Sequence, residues 1–171
     1  MKKMTLIAFL LCLVSNVTYA QKFAFIDTDY IISQIGEYKT NEEAIEAKTN
    51  EFQAEVTKLT EEVEKLYKAY QAKADKLSES QKRAEEEKIM KKEQEAMELG
   101  RSYFGPEGAI AAYREKLLDP FFNKIYEAAK IIATQHDYAA IIDRATATSI
   151  IFALPQYDIS NEVLRIMGYS N

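Results

Sequence analysis

From Phe52 the apolar positions run Phe52, Val56, Leu59, Val63, Leu66 and Tyr70, in alternating steps of four and three that make a heptad seam. Between them stand Glu, Lys and Gln, so the stretch predicts a long helix touching a partner along one narrow stripe. Lys73 breaks the seam before Leu77. Ser78 followed by Gln81 has the spacing of a capping box opening a second helix, which puts the tip of an antiparallel helical hairpin near 75–80. The returning leg carries Ile89 or Met90, Met97, Phe104, then Ile110, Tyr113, Leu117, Phe121, Ile125, Ala128 and Ile132, more loosely spaced. A helix from Asn41 to Ala74 would extend on the order of 50 Å.

Two interruptions fall in the returning leg. Phe104-Gly105-Pro106-Glu107-Gly108 joins residues that tolerate left-handed geometry to one lacking an N–H, so the helix should stop or kink and restart with Pro106 in its first turn. Pro120 leaves the Lys116 carbonyl without its helical donor. Gly105, Pro106 and Pro120 are therefore candidate hinges, with plain packing kinks as the competing reading.

Strand patterns sit at the opposite ends of the chain. Phe23-Ala24-Phe25-Ile26-Asp27 reads as one strand, with Asp27 capping a short helix from Thr28 to Ile35. Tyr138 to Asp143 and Ser149 to Leu154 read as two more, joined by the polar loop Arg144 to Thr148. Asp158 caps a last helix that ends at Gly168. The expected fold is α+β, ordered strand, helices, strand, strand, helix. In it a small β-containing oligomerisation body (21–37 and 133–171) carries a long inserted antiparallel, coiled-coil-like hairpin arm (38–132). About 56 residues would have to make the body's core, which is marginal for one chain. Its strands leave open edges, so an obligate oligomer is expected, with Phe23, Phe25, Ile141, Ile151 and Leu164 as its core.

The first twenty residues change the compartment. Lys2 and Lys3, the apolar run Leu6 to Val14 and the small-residue site Thr18-Tyr19-Ala20 form a secretion signal cleaved near Ala20, with Cys12 inside it and not a lipid anchor. The mature chain would then lack cysteine, which excludes disulfides, thiolate metal sites and a thiol nucleophile. It would keep 20 basic against 27 acidic residues, a net charge of −7, which argues against nucleic acid as a partner. No cofactor motif, metal-ligand spacing or Ser/His/Asp arrangement appears. His136, the sole histidine, reads as a surface residue before a strand, and Asp27 with Asp143 read as caps and not as a paired-carboxylate site, so no enzyme is expected.

In order and local text the chain resembles the periplasmic chaperone family Skp, also called OmpH. Phe25-Ile26-Asp27 with Tyr30-Ile31-Ile32 is similar to the family's opening strand and turn. Leu118-Asp119-Pro120 with Ile125, Ile131, Ala133 and Asp137-Tyr138 through Ile141-Ile142-Asp143 resembles its return into the body. Asp158-Ile159-Ser160 with Glu162-Val163-Leu164 resembles the start of its last helix, and the 104–108 insert a version found in Bacteroidetes-type bacteria. The resemblance implies a homotrimer in the periplasm whose arms enclose a cavity that holds unfolded outer-membrane β-barrel proteins without ATP. Tyr67, Tyr70, Met90, Met97, Tyr103 and Phe104 are the candidate client contacts, since Met adapts its shape and Tyr offers both apolar and polar contact. The family's best-known members are basic, whereas residues 38–100 here carry 12 basic and 16 acidic side chains, which argues against lipid or lipopolysaccharide binding. The rival reading is a structural periplasmic coiled-coil spacer or assembly subunit.

Overall fold

A computed structural model of the chain describes residues 21–169; the expected signal, with its cleavage site and Cys12, lies outside them. The elements are β1 (Lys22–Ile26), α1 (Thr28–Ser33), α2 (Gly36–Gln71), a 3-10 turn (Ala74–Lys76), α3 (Glu79–Phe104), α4 (Ala109–His136), β2 (Tyr138–Asp143), a 3-10 turn (Pro155–Tyr157) and α5 (Ser160–Ile166). The chain is α+β, with its helical stretch inserted between strands from opposite ends of the sequence. It divides into two compact units: the chain up to Ile31 with Glu127 onward, and Ile32–Tyr126.

In the first unit, β1 and β2 pair in parallel, with Phe23 opposite Ala140 and Ile26 opposite Asp143. Parallel neighbours need a crossover, and here the entire helical stretch supplies it. Ala24 and Ile26 point into a core shared with Ile31, Ala128, Ile132, Ile159, Val163 and Leu164, all under 9% exposed. Asp137, at φ 54, turns the chain from α4 into β2 in a single residue. At the other end Gly168, at φ 85, closes α5. The N–H of Gly168 bonds the Arg165 carbonyl and that of Tyr169 the Leu164 carbonyl, the paired bonds of a Schellman cap.

Ser149 to Leu154, expected as a third strand, is not one in the single chain. A strand needs a neighbour for its backbone groups, and among the described residues this segment is paired with none. The preceding backbone closes local turns instead, Ala147 N–H to the Asp143 carbonyl and Ile150 N–H to the Ala147 carbonyl, each at 3.0 Å. Ile151 is left fully exposed, Phe152 74% and Leu154 48%.

In the second unit, α2 and α3 form an antiparallel hairpin. Its turn has the expected capping box: the Ser78 hydroxyl accepts from Gln81 N–H, and the Gln81 side chain accepts from Ser78 N–H. Further along, Tyr38 packs edge-on against Phe121 and Phe122, and Asn41 Nδ2 donates to the Leu117 carbonyl at 3.1 Å, so α4 also runs antiparallel to α2. Between α3 and α4 the helix stops as expected, but Pro106 lies in the turn and not in α4's first turn. The two glycines also act differently from expectation. Neither adopts a positive φ; each is required by close approach. A Cβ on Gly105 would lie 2.5 Å from the Arg101 carbonyl oxygen, and one on Gly108 2.7 Å from that of Tyr103. Pro120 is absorbed inside a continuous α4.

Candidate functional site

The hairpin seam is built from α2 positions 52, 56, 59, 63, 66 and 70 and α3 positions 89, 92, 96 and 103, half-buried or buried, with Ile89 and Ala96 the best covered on α3. It is thin and partly polar. Phe52 stacks on Tyr103, with ring centroids 3.9 Å apart and planes within 5° of parallel, and Lys48 Nζ lies 4.6 Å over the Phe52 ring. Gly100 faces Val56, and a Cβ there would make ordinary contact at 3.9 Å from Val56 Cγ1. Lys73, the residue that breaks the heptad, pairs with Glu85 at 2.6 Å, and Lys92 reaches Glu62 at 3.5 Å and Glu95 at 2.9 Å.

The candidate client residues separate into two groups. Tyr70 and Tyr103 belong to the seam: Tyr70 donates its hydroxyl to Glu86 at 2.5 Å, and Tyr103 donates to Glu55. The carboxylate accepting each hydroxyl favours the neutral phenol, raising Tyr103 and pushing Tyr70 up to about 12. Met90, Met97 and Phe104 lie outside the seam, 66%, 69% and 41% exposed, and Tyr67 on α2 is 50% exposed. The looser spacing of the returning leg resolves accordingly, with Ile89 and Ala96 inside and Met90 and Met97 outside. Glu93, Gln94, Glu98 and Arg101 join the two methionines around a shallow hollow.

Of the oligomer-core residues, Leu164 is covered by its own chain, Phe25 and Ile141 are half-buried, and Phe23 and Ile151 are exposed, at 43% and 100%. Of the hinge residues, Gly105 and Pro106 occupy the turn, which is closed by bonds from Gly105 N–H to the Arg101 carbonyl and from Gly108 N–H to the Gly105 carbonyl.

A polar cluster joins the two ends of the chain; Asp27 and Asp143 were expected in it as caps, whereas Arg144 and Ser160 were not. The Asp27 carboxylate caps α1 through Tyr30 N–H at 2.9 Å, as expected. Asp143 caps the same helix from across the fold, accepting the Thr28 N–H at 3.1 Å and hydroxyl at 2.8 Å, together with Ala145 N–H and the Thr146 hydroxyl at 3.1 Å each. Burial pushes the Asp143 carboxyl up, but these donors outweigh it and hold it below the usual aspartate value. Arg144 bridges Asp158 at 2.8 Å and Asp27 at 3.4 Å. The buried Ser160 hydroxyl accepts from Asp27 N–H and donates to Asp158 Oδ1. His136 is on the surface, with Nε2 3.7 Å from Glu162. Among the described residues no group of three or more His, Cys, Asp or Glu is placed to hold a metal ion, and no helix is long and apolar enough to cross a membrane.

A candidate outer membrane chaperone (OmpH-like) from Caulobacter crescentus CB15, known from its crystal structure, superposes with a TM-score of 0.63 at 14% sequence identity, over 86% of this chain and 84% of that one. At that identity the likeness is one of fold. No curated protein matches the chain. The family model for OmpH-like outer membrane proteins matches residues 22–167, nearly the whole described chain. The chain therefore belongs to the OmpH-like family.

Proposed function

We propose that this protein is an ATP-independent holdase of the periplasm, a homotrimer whose helical arms enclose a cavity in which unfolded outer-membrane β-barrel proteins are kept from aggregating. Membership of the OmpH-like family and a fold shared with the Caulobacter chaperone candidate support a chaperone role. The observation that carries the reading is the exposure of Met90, Met97 and Phe104 beside a seam that closes without them. A spacer needs only the seam; large adaptable side chains left outside it suit weak, reversible contacts with many sequences. Without a nucleotide to drive release, such contacts must each be weak and act together.

The oligomeric part of the reading is supported by Ile151, Phe152 and Leu154, an exposed apolar run in a chain whose β2 has a free outer edge among the described residues. The number three comes from the family resemblance. The mature protein should run as a trimer in light scattering and hold one urea-unfolded outer-membrane β-barrel soluble on dilution into buffer. An oligomer that leaves the client to aggregate would move the assignment to a structural spacer.

A further inference from the structure

On α3, Met90, Met97 and Phe104 recur every seven residues, about 10.5 Å apart along the axis, and so form one exposed stripe. Glu93 and Glu98 flank the methionines, with Gln94 and Arg101 completing the hollow. Among the described residues neither carboxylate forms an ion pair. Glu98 accepts only a neutral bond, from Gln94 Nε2 at 2.7 Å. Lys92, next in sequence to Glu93, is committed to Glu62 and Glu95. The hollow thus offers two uncompensated carboxylates against one guanidinium, beside apolar surface without a partner.

We propose that this hollow makes the client surface charge-selective: it takes segments in which apolar side chains are interspersed with lysine or arginine and rejects equally apolar segments carrying aspartate or glutamate. The inference rests on the holdase reading and names the client chemistry that reading leaves open. Covering the methionines with client side chains removes water from beside Glu93 and Glu98. A cation placed there is then attracted more strongly than at an open surface. An acidic segment would instead set its carboxylates against two others with only Arg101 to relieve them.

The test uses the mature full-length protein and two fluorescent synthetic peptides that share their leucines and tyrosines, one carrying lysine between them and the other glutamate. At low salt the lysine peptide should bind about tenfold tighter or more, the ratio shrinking as salt is raised. Replacing both Glu93→Lys and Glu98→Lys should erase or invert that ratio. The exposed pair Glu43→Lys and Glu46→Lys changes net charge equally and should leave it within about twofold, which separates the hollow from the general field of an acidic protein. Equal binding of both peptides, or an equal response to the two double variants, would overturn the inference while client retention in light scattering kept the holdase reading. Loss of client retention itself would remove both.

Discussion

Asp143 ties the first unit together through four accepted hydrogen bonds, two of them from Thr28, 115 positions away. Asp143→Ala should cost about 2–3 kcal/mol in urea unfolding, the scale of lost bonds to a charged acceptor. Because its folded-state pKa lies below the unfolded one, the charged form's contribution is complete above about pH 4 and fades as pH falls through the lower folded value. Denaturation followed from pH 7 down to pH 3 should show that loss, and Asp143→Asn should flatten it. Glycines give a second contrast at this scale. Gly108→Ala drives a Cβ against backbone atoms of Tyr103 and Gly105 and should cost about 1–3 kcal/mol. Gly36→Ala, with nothing within 4 Å, should instead stabilise α2 by about 0.5–1 kcal/mol in a thermal melt. Asp27's cap was legible in the sequence because its partner Tyr30 is three residues on. The Asp27–Arg144 bridge was not, since no local pattern relates residues 117 positions apart.

The hairpin was the most legible element, and its errors have one cause. Heptad spacing fixed the seam on α2, and capping chemistry fixed the turn. On α3, however, reading by apolar bulk favoured Met97 and Phe104, whereas the face turned to α2 carries Ile89, small Ala96 and Tyr103, and Met97 and Phe104 lie outside it. The third strand was misread for the opposite reason: the residue types suit a strand, but pairing is decided by tertiary context, and here local turns after β2 lead the segment away from pairing among the described residues. Ser78→Ala removes one half of the capping box and should lower hairpin stability by about 1 kcal/mol, visible as faster amide exchange in the first turn of α3. Lys73→Leu replaces a half-exposed ion pair with an apolar side chain in the turn just past the end of α2. Its expected gain of up to about 1 kcal/mol should appear as a raised urea midpoint, since such pairs contribute little.

For the whole molecule, the exposed run at Ile151, Phe152 and Leu154 ties stability to concentration if copies cover it for one another. Ile151→Lys with Phe152→Lys should shift the light-scattering mass to that of one chain while leaving helical circular dichroism largely intact; an unchanged mass would put the interface elsewhere. The parallel pairing of β1 with β2 also sets an order of events in time. A chain made from its N-terminus exposes β1 early, yet β1 has no sheet partner until Tyr138 to Asp143 has followed. The hairpin, closed by contacts nearer in sequence, can form in that interval, whereas the sheet waits for the longest loop in the molecule to close. A chain stopped short of Tyr138 should therefore retain hairpin helicity but leave β1 unpaired, so completion of the sheet is reserved for chains synthesised through Asp143.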